Sequence, residues 1–169
     1  MRTVAIWPGH VGKPEADPGA CGPSVCEAGL TGELAAVLTL ALRRAGVAVV
    51  DLGAGTYAAR AAHVDAVGAE LVLHIHLDVG EPAIYHYGTV GGQAAGQLLQ
   101  ERLAVVGLDL ELRVATSRGY PRARGLLALT RAPAVLLELA DVRDEAAVAQ
   151  LRARAPEVGQ AIAQAVAAL

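Results

Sequence analysis

The sequence lacks the features that mark several large classes of protein. No hydrophobic run approaches the ~20 residues that a membrane-spanning helix needs. The formal net charge is −3 and the pI is about 5.9, so the basic excess of a nucleic-acid binder is missing. Lysine occurs once and phenylalanine never, a bias that we attribute to codon composition. We therefore expect neither a nucleic-acid partner nor a membrane span.

Two further motifs are missing near the N-terminus. The chain enters a strand pattern at once, Thr3 to Trp7, without the charged start, hydrophobic core and small-residue cleavage site of a signal peptide. We expect synthesis in the cytoplasm, with action elsewhere only after release or export. No Gly-x-Gly-x-x-Gly motif opens a helix after this first strand, which argues against a nucleotide-binding α/β domain.

The residues that are present predict one α/β domain covering 1–169. The chain has 169 residues and is 54% hydrophobic, enough for one packed core. Strand and helix patterns alternate, which favours a three-layer domain with a twisted, mostly parallel sheet and helices on both faces. Predicted strands cover 3–7, 47–51, 70–76, 83–87, 111–115, 126–129 and 134–139. Predicted helices cover 33–45, capped by Thr31, 56–67, capped by Thr56, 93–106 and a tail from 144 to 169 with a possible break at Pro156.

Polar side chains interrupt this apolar pattern where predicted strands end. His10 follows the first strand, His74 and His76 close the third, and Glu138 lies in the last strand. Sites in open α/β sheets form at the carboxyl ends of strands. Glu27 lies in a Gly/Pro-rich loop that is long for a compact domain. Two histidines and a carboxylate are the ligand set of an open catalytic zinc site, so these residues suggest a metal-assisted hydrolase.

Each of these residues also has a structural interpretation. His10 alone is typical of a surface histidine, and Glu27 alone of a solvated loop carboxylate. His74 and His76 point to one face of their strand and could be core histidines with hydrogen-bond partners. Glu138, within Leu-Leu-Glu-Leu, is the hardest to explain structurally, because a carboxylate there must be paired, exposed or functional.

Two cysteines, Cys21 and Cys26, lie in the long loop with four residues between them. Free thiols are the interpretation that we prefer. A disulfide that stiffens the loop and metal ligation are the alternatives.

Five segments resemble the zinc-dependent N-acetylmuramoyl-L-alanine amidases of the Amidase_3 family, found in cell-separation enzymes, sporulation amidases and phage endolysins. Ile6-Trp7-Pro8-Gly9-His10 is similar to the family's first strand and first ligand. Asp17-Pro18-Gly19-Ala20-Cys21-Gly22 resembles its Asp-Pro-Gly-Ala-x-Gly loop. Glu27 resembles the carboxylate ligand of the family in its position. Leu73-His74-Ile75-His76 resembles the family's Ser-Ile-His segment. Pro133 to Leu139 resembles its Pro-Ala-Val-Leu-Val-Glu strand.

The resemblance implies a ligand set and a reaction. Zn²⁺ would be held by His10, Glu27 and His76, and Glu138 would be the catalytic base and acid. The substrate would be the amide between N-acetylmuramic acid and L-alanine in peptidoglycan. The enzyme would act on the cell wall, as a lysis enzyme or as the catalytic domain of a longer exported protein.

The chain departs from the family pattern beside its ligands. Trp7 stands where the family has aspartate, and His74 stands where it has serine. We expect His74 to support the ligands rather than bind the metal. The alternatives to the amidase are another zinc peptidase or deacylase, and a catalytically impaired wall-binding or regulatory relative with the same fold.

Other polar residues carry weaker expectations. The predicted basic loop 116–124 contains Arg118, Arg122 and Arg124, which could meet stem-peptide carboxylates, although a solvated loop is the simpler interpretation. Tyr85-His86-Tyr87 could line a groove or form part of an edge strand. His63 is expected to be a surface residue of its helix.

Overall fold

A computed structural model describes residues 2–12, 17–53, 55–118 and 120–169. Strands and helices alternate along the described chain, as the sequence pattern predicts. The strands are β1 (Thr3–Pro8), β2 (Ala48–Asp51), β3 (Leu71–Asp78), β4 (Ala83–His86), β5 (Glu111–Val114) and β6 (Ala134–Asp141). The helices are α1 (Glu27–Arg44), α2 (Tyr57–Ala66), α3 (Val90–Val105), α4 (Pro121–Leu127), α5 (Glu145–Ala153) and α6 (Ala155–Ala168).

The strands form one mixed sheet in the order β2-β1-β3-β6-β4-β5. β1, β2, β3 and β6 are parallel to one another, and β4 runs antiparallel to β6 with β5 parallel to β4. The link from β3 to β4 is too short for the helical crossover that joins parallel strands, so the chain reverses there. The predicted α/β three-layer fold is confirmed.

Side chains that alternate along the strands divide the core between the two faces of the sheet. One face packs against α1, α3, α5 and α6 through an aliphatic cluster that includes Ile6, Ile75 and Leu137. The other face packs against α2 and α4 and carries Trp7 and Tyr85. Because His74, His76 and Glu138 share their strand phase with this second cluster, their side chains belong to the face that carries Trp7.

The start of α1 differs from the prediction. The helix begins at Glu27, four residues before the predicted cap Thr31, and Cys26 is its N-cap. Thr31 is buried inside the helix, where its hydroxyl donates a hydrogen bond of 2.7 Å to the carbonyl of Gly9. The hydroxyl that suggested a cap therefore serves a contact between α1 and the loop after β1.

The predicted strand at 126–129 is wrong, because 126 and 127 are the last residues of α4 and 128–129 form the turn that follows it. Pro121 occupies the first turn of the helix, after Tyr120 in the left-handed conformation. Ala123 and Leu127, four residues apart, are buried on one side of the helix. A short apolar run fits both a strand and a helix, so the pattern alone could not decide between them.

The remaining boundaries lie close to their predictions. Thr56 caps α2 as predicted, through a hydrogen bond from the backbone N–H of Ala59. α3 begins at Val90, three residues early, because Thr89 accepts a bond from Gly92. The C-terminal tail is helical and breaks at Arg154. No helix in the described part of the chain is long and apolar enough to cross a membrane.

Candidate metal centre

His10, Glu27 and His76 come together at the carboxyl edge of the sheet. His10 follows β1, His76 lies near the end of β3, and Glu27 opens α1. One ligand atom from each residue lies within 4.8 Å of the others. The structure therefore brings together the three residues that the sequence proposes as ligands.

Glu27 is the fixed member of this group. Its side chain is buried, and its two carboxylate oxygens accept hydrogen bonds from the backbone N–H groups of Leu77 (3.3 Å) and Ala20 (3.2 Å). Oε1 lies 2.7 Å from Nδ1 of His76, and Oε2 lies 3.5 Å from Nε2 of His10. The carboxylate thus faces both histidines while the backbone holds it from two sides.

Two glycines allow this close approach. A Cβ on Gly9 would lie 2.7 Å from His76 Nδ1 and 2.8 Å from Glu27 Oε1. A Cβ on Gly19, whose φ is +77°, would overlap Glu27 Oε2 and lie 2.8 Å from His10 Cδ2. The backbone at Gly9 and at Gly19 therefore lies directly against the candidate ligands. A side chain at either position would collide with them.

His10 has an unusual backbone and a carboxylate neighbour. Its φ of 58° is left-handed, a conformation that costs energy for a residue with a side chain and that concentrates at functional sites. Nδ1 lies 3.0 Å from Oδ1 of Asp17, on the side of the ring away from Glu27. The two atoms are close without forming a hydrogen bond among the described residues, and a carboxylate near the other nitrogen is common for histidines that bind metals.

Cys21 and Cys26 form a disulfide, so the preferred interpretation of free thiols is wrong. Both sulfurs are committed to the bond, and neither joins the ligand cluster. The bond closes a turn in which Gly22 donates to the carbonyl of Val25, and beside it Glu27 N–H donates to the carbonyl of Ala20. The disulfide therefore restrains the segment immediately before Glu27.

Glu138 lies directly across from His76 in the register of β3 and β6. It is not at the end of its strand, because β6 continues to Asp141. Burial, together with the carboxylates of Glu27 and Asp78, raises the pKa of Glu138 to about 9. Its buried Oε2 has no hydrogen-bond partner among the described residues. The carboxyl group is thus beside the ligands and retains its proton near neutral pH when no cation is close.

His74 packs away from the ligands. Its fully buried ring stacks on Trp7 with a centroid distance of 4.8 Å and lies 6.4 Å from the ring of His76. Neither ring nitrogen has a hydrogen-bond partner within the part of the chain that is described. Burial, then the neighbouring His76 and Arg60, lowers the pKa of His74 to about 3, so the ring is neutral.

Arg60 was not among the predicted site residues, and it lies behind the loop that carries His10. Its guanidinium carbon lies 5.7 Å from the ring centroid of Trp7, and its side chain donates hydrogen bonds to the backbone carbonyls of Pro8 and Val11. A signal was present in the sequence, since Arg60 occupies the same side of α2 as the buried Ala61 and Val64.

The weaker candidates lie outside the ligand cluster. Arg118, Arg122 and Arg124 are exposed, and Arg124 contacts the ring of Tyr87 with its guanidinium carbon 5.4 Å from the centroid. The 85–87 segment is not on an edge, because β4 lies between β6 and β5. His63 is exposed on α2, as expected.

Comparisons with known proteins extend over the whole fold. Residues 4–168 match the Amidase_3 family, described as N-acetylmuramoyl-L-alanine amidase. No curated protein sequence matches the chain significantly. The structure is similar to the catalytic domain of the CD27L endolysin targeting Clostridia difficile, with a TM-score of 0.83, 19% identity and coverage of 98% of this chain and 97% of that one.

Two further solved structures share the fold. Ami1, the N-acetylmuramyl-L-alanine amidase from Mycobacterium smegmatis, has a TM-score of 0.81 and 16% identity, covering 99% of this chain and 95% of that one. Cwp6 from Clostridium difficile has a TM-score of 0.77 and 21% identity, covering 98% of this chain. This chain spans only 28% of Cwp6. At these identities the likeness establishes the fold.

Proposed function

Since the chain belongs to the Amidase_3 family of N-acetylmuramoyl-L-alanine amidases, we propose that it cleaves its peptidoglycan amide with a zinc ion held by His10, Glu27 and His76 and with Glu138 as the base. The bond is the one between N-acetylmuramic acid and L-alanine. The place of action is the cell wall, where this substrate lies. We further propose that residues 1–169 form the amidase catalytic domain.

The donor set supports zinc in particular. Two imidazoles and one carboxylate are a ligand set of catalytic zinc sites, which leave a further position for water or substrate. The ligand atoms lie within 4.8 Å of one another, and Gly9 and Gly19 leave the space beside them free of side chains. Asp17 places a carboxylate 3.0 Å from the other ring nitrogen of His10, where an outer partner of such a ligand is commonly found.

The mechanism assigns one proton-transfer role to this chain. A zinc ion held by these residues would act as a Lewis acid. It would polarise the carbonyl of the substrate amide and lower the pKa of a bound water. Glu138 removes a proton from the attacking water while the oxygen of that water bonds to the amide carbon. Glu138 then gives this proton to the leaving nitrogen as the carbon–nitrogen bond breaks. The products are the lactyl carboxylate and the free amine of L-alanine.

A single observation carries this proposal, the meeting of a buried carboxylate and two histidines next to Glu138. The test is mass spectrometry of defined muropeptides incubated with the zinc-loaded protein. Release of an intact stem peptide with a free L-alanine amine, lost on chelation and restored by zinc, would support it. Cleavage at another bond would contradict the substrate, and cleavage that survives complete removal of metal would contradict the zinc role.

Substitution of Gly19 by alanine is expected to weaken zinc binding by about 10- to 100-fold, the range typical of disturbed support around a metal site. The new methyl group would overlap the carboxylate of Glu27 and approach His10, and the φ of +77° adds strain for any side chain. Competition with a chromophoric chelator measures the affinity.

Gly53→Ala is the matched control, because no described residue other than its chain neighbours comes within 4 Å of the added methyl group. Its zinc affinity should equal that of the wild type. Equal affinities for both variants would show that the close approach of Gly19 to the ligands has no part in metal binding.

A further inference from the structure

Arg60 is a buried cation whose side-chain hydrogen bonds go to the end of β1 and to the loop that follows it. It lies on α2 with 6% of its surface exposed. Nη1 donates to the carbonyl of Pro8 at 3.4 Å, and Nη2 donates to the carbonyl of Val11 at 2.5 Å. The two accepting carbonyls belong to residues on either side of the Gly9-His10 pair.

The backbone between these two carbonyls is held in a costly shape. His10 has a φ of 58°, and Val11 N–H donates to the carbonyl of Gly9 at 2.7 Å to close the turn. Gly9 is anchored from two other sides, since its N–H donates to the carbonyl of Ile75 and its carbonyl accepts from Thr31. The far side of the turn, at Val11, is tied to the fold by Arg60.

The structure assigns Arg60 as the residue that positions His10. By binding the carbonyls before and after the turn, Arg60 keeps His10 in its left-handed conformation, and that conformation directs the imidazole toward Glu27. Without the guanidinium, Val11 would be released and His10 could return to an ordinary φ, which would turn its ring away. This inference rests on the proposed role of His10 as a metal ligand.

The chemistry of the contact requires arginine. A guanidinium presents several N–H donors in one rigid plane, so it can meet two carbonyls at once, whereas an ammonium is a compact point charge. Trp7 lies under this plane, with the guanidinium carbon 5.7 Å from the ring centroid, and restricts where the group can point. Lysine at position 60 should therefore replace part of the function, and methionine none of it.

The test compares the zinc affinities of Arg60→Met and Arg60→Lys with that of the wild type. Chelator competition should show a loss of about 10- to 100-fold for Arg60→Met and a smaller loss for Arg60→Lys. The visible absorption of the cobalt-substituted protein gives a second readout, because it reports the ligand geometry. It should change in Arg60→Met. Arg131→Met, which alters an arginine whose side chain is 93% exposed, is the control and should leave both readings unchanged.

The outcomes separate this inference from the proposed function. A folded Arg60→Met protein with wild-type zinc affinity and an unchanged cobalt spectrum would overturn the role of Arg60 alone, even if its melting temperature fell. A wild-type protein that binds neither metal would overturn the metal site itself. If Arg60→Met does not fold, Arg60→Lys decides the question, and an affinity equal to that of the wild type would overturn the inference.

Discussion

Replacement of Glu138 by glutamine is expected to abolish hydrolysis while zinc remains bound. Glutamine has nearly the same shape but cannot accept and return a proton, and general acid–base groups contribute about 10²- to 10⁴-fold to rates. Glu138 lies in β6 across from His76 and outside the ligand cluster, so its loss should leave the three donors in place. Turnover of a defined muropeptide and zinc content by atomic absorption are the two measurements.

The matched control is Glu101→Gln, which changes an exposed glutamate on α3 and should keep full activity. Wild-type turnover in Glu138→Gln would remove this residue from the mechanism. Loss of both turnover and zinc would show that Glu138 acts as a ligand.

The same variant should alter the pH dependence of stability in the metal-free protein. The pKa of Glu138 rises from 4.5 to about 9 on folding, so the unfolded chain releases this proton at a lower pH than the folded chain does. The wild type therefore loses stability relative to Glu138→Gln as the pH rises from about 4.5 to about 9. Since a tenfold change in proton affinity corresponds to about 1.4 kcal/mol, the difference should reach about 3 kcal/mol at pH 7.

Urea unfolding at several pH values, with metal removed, measures this difference. A gap between the two proteins that stays constant from pH 4 to pH 8 would contradict the raised pKa. Saturating zinc should reduce the gap, because burial is the main cause of the raised pKa of Glu138 but a cation near Glu27 opposes the part that comes from the neighbouring carboxylates.

Replacement of His76 by alanine is expected to remove both zinc and activity. His76, whose Nδ1 lies 2.7 Å from Glu27 Oε1, is one of the three residues of the ligand cluster. Its loss should weaken zinc binding by more than the ~100-fold that loss of a supporting contact can cost. The readouts are zinc content after dialysis and the rise in melting temperature on adding zinc, both of which should disappear.

His63→Ala is the control, because His63 is exposed on α2. It should bind zinc and turn over substrate as the wild type does. Retention of stoichiometric zinc and of turnover in His76→Ala would exclude this histidine from the ligand set.

The fold and the position of the candidate metal site could be predicted from the sequence because both depend on simple rules. Alternating strand and helix patterns predict a covered sheet, and the carboxyl ends of its strands meet at one edge. His10 follows β1, His76 lies in β3 and Glu138 lies in β6. These three strands are parallel neighbours in the sheet. Glu27 could be placed only through the family resemblance, since a glutamate in a long loop has no periodicity to locate it.

The errors arose where tertiary contacts determine the local structure. Thr31 has the chemistry of an N-cap, but its hydroxyl is bonded to Gly9, a partner that is remote in sequence. Arg60 was overlooked because a single arginine among alanines is usually solvated. Its position on the buried side of α2 could have indicated burial, but not its partners, because Pro8 and Val11 lie about fifty residues away in the sequence.

Trp7 and His74 illustrate a different relation between sequence and fold. The two positions are direct partners across β1 and β3, and their rings stack at 4.8 Å. Read along the chain, they are two separate departures from the family's aspartate and serine. Across the sheet, the two side chains form one aromatic contact. We therefore expect the two positions to vary together. Relatives with tryptophan at the first position would carry an aromatic ring at the second.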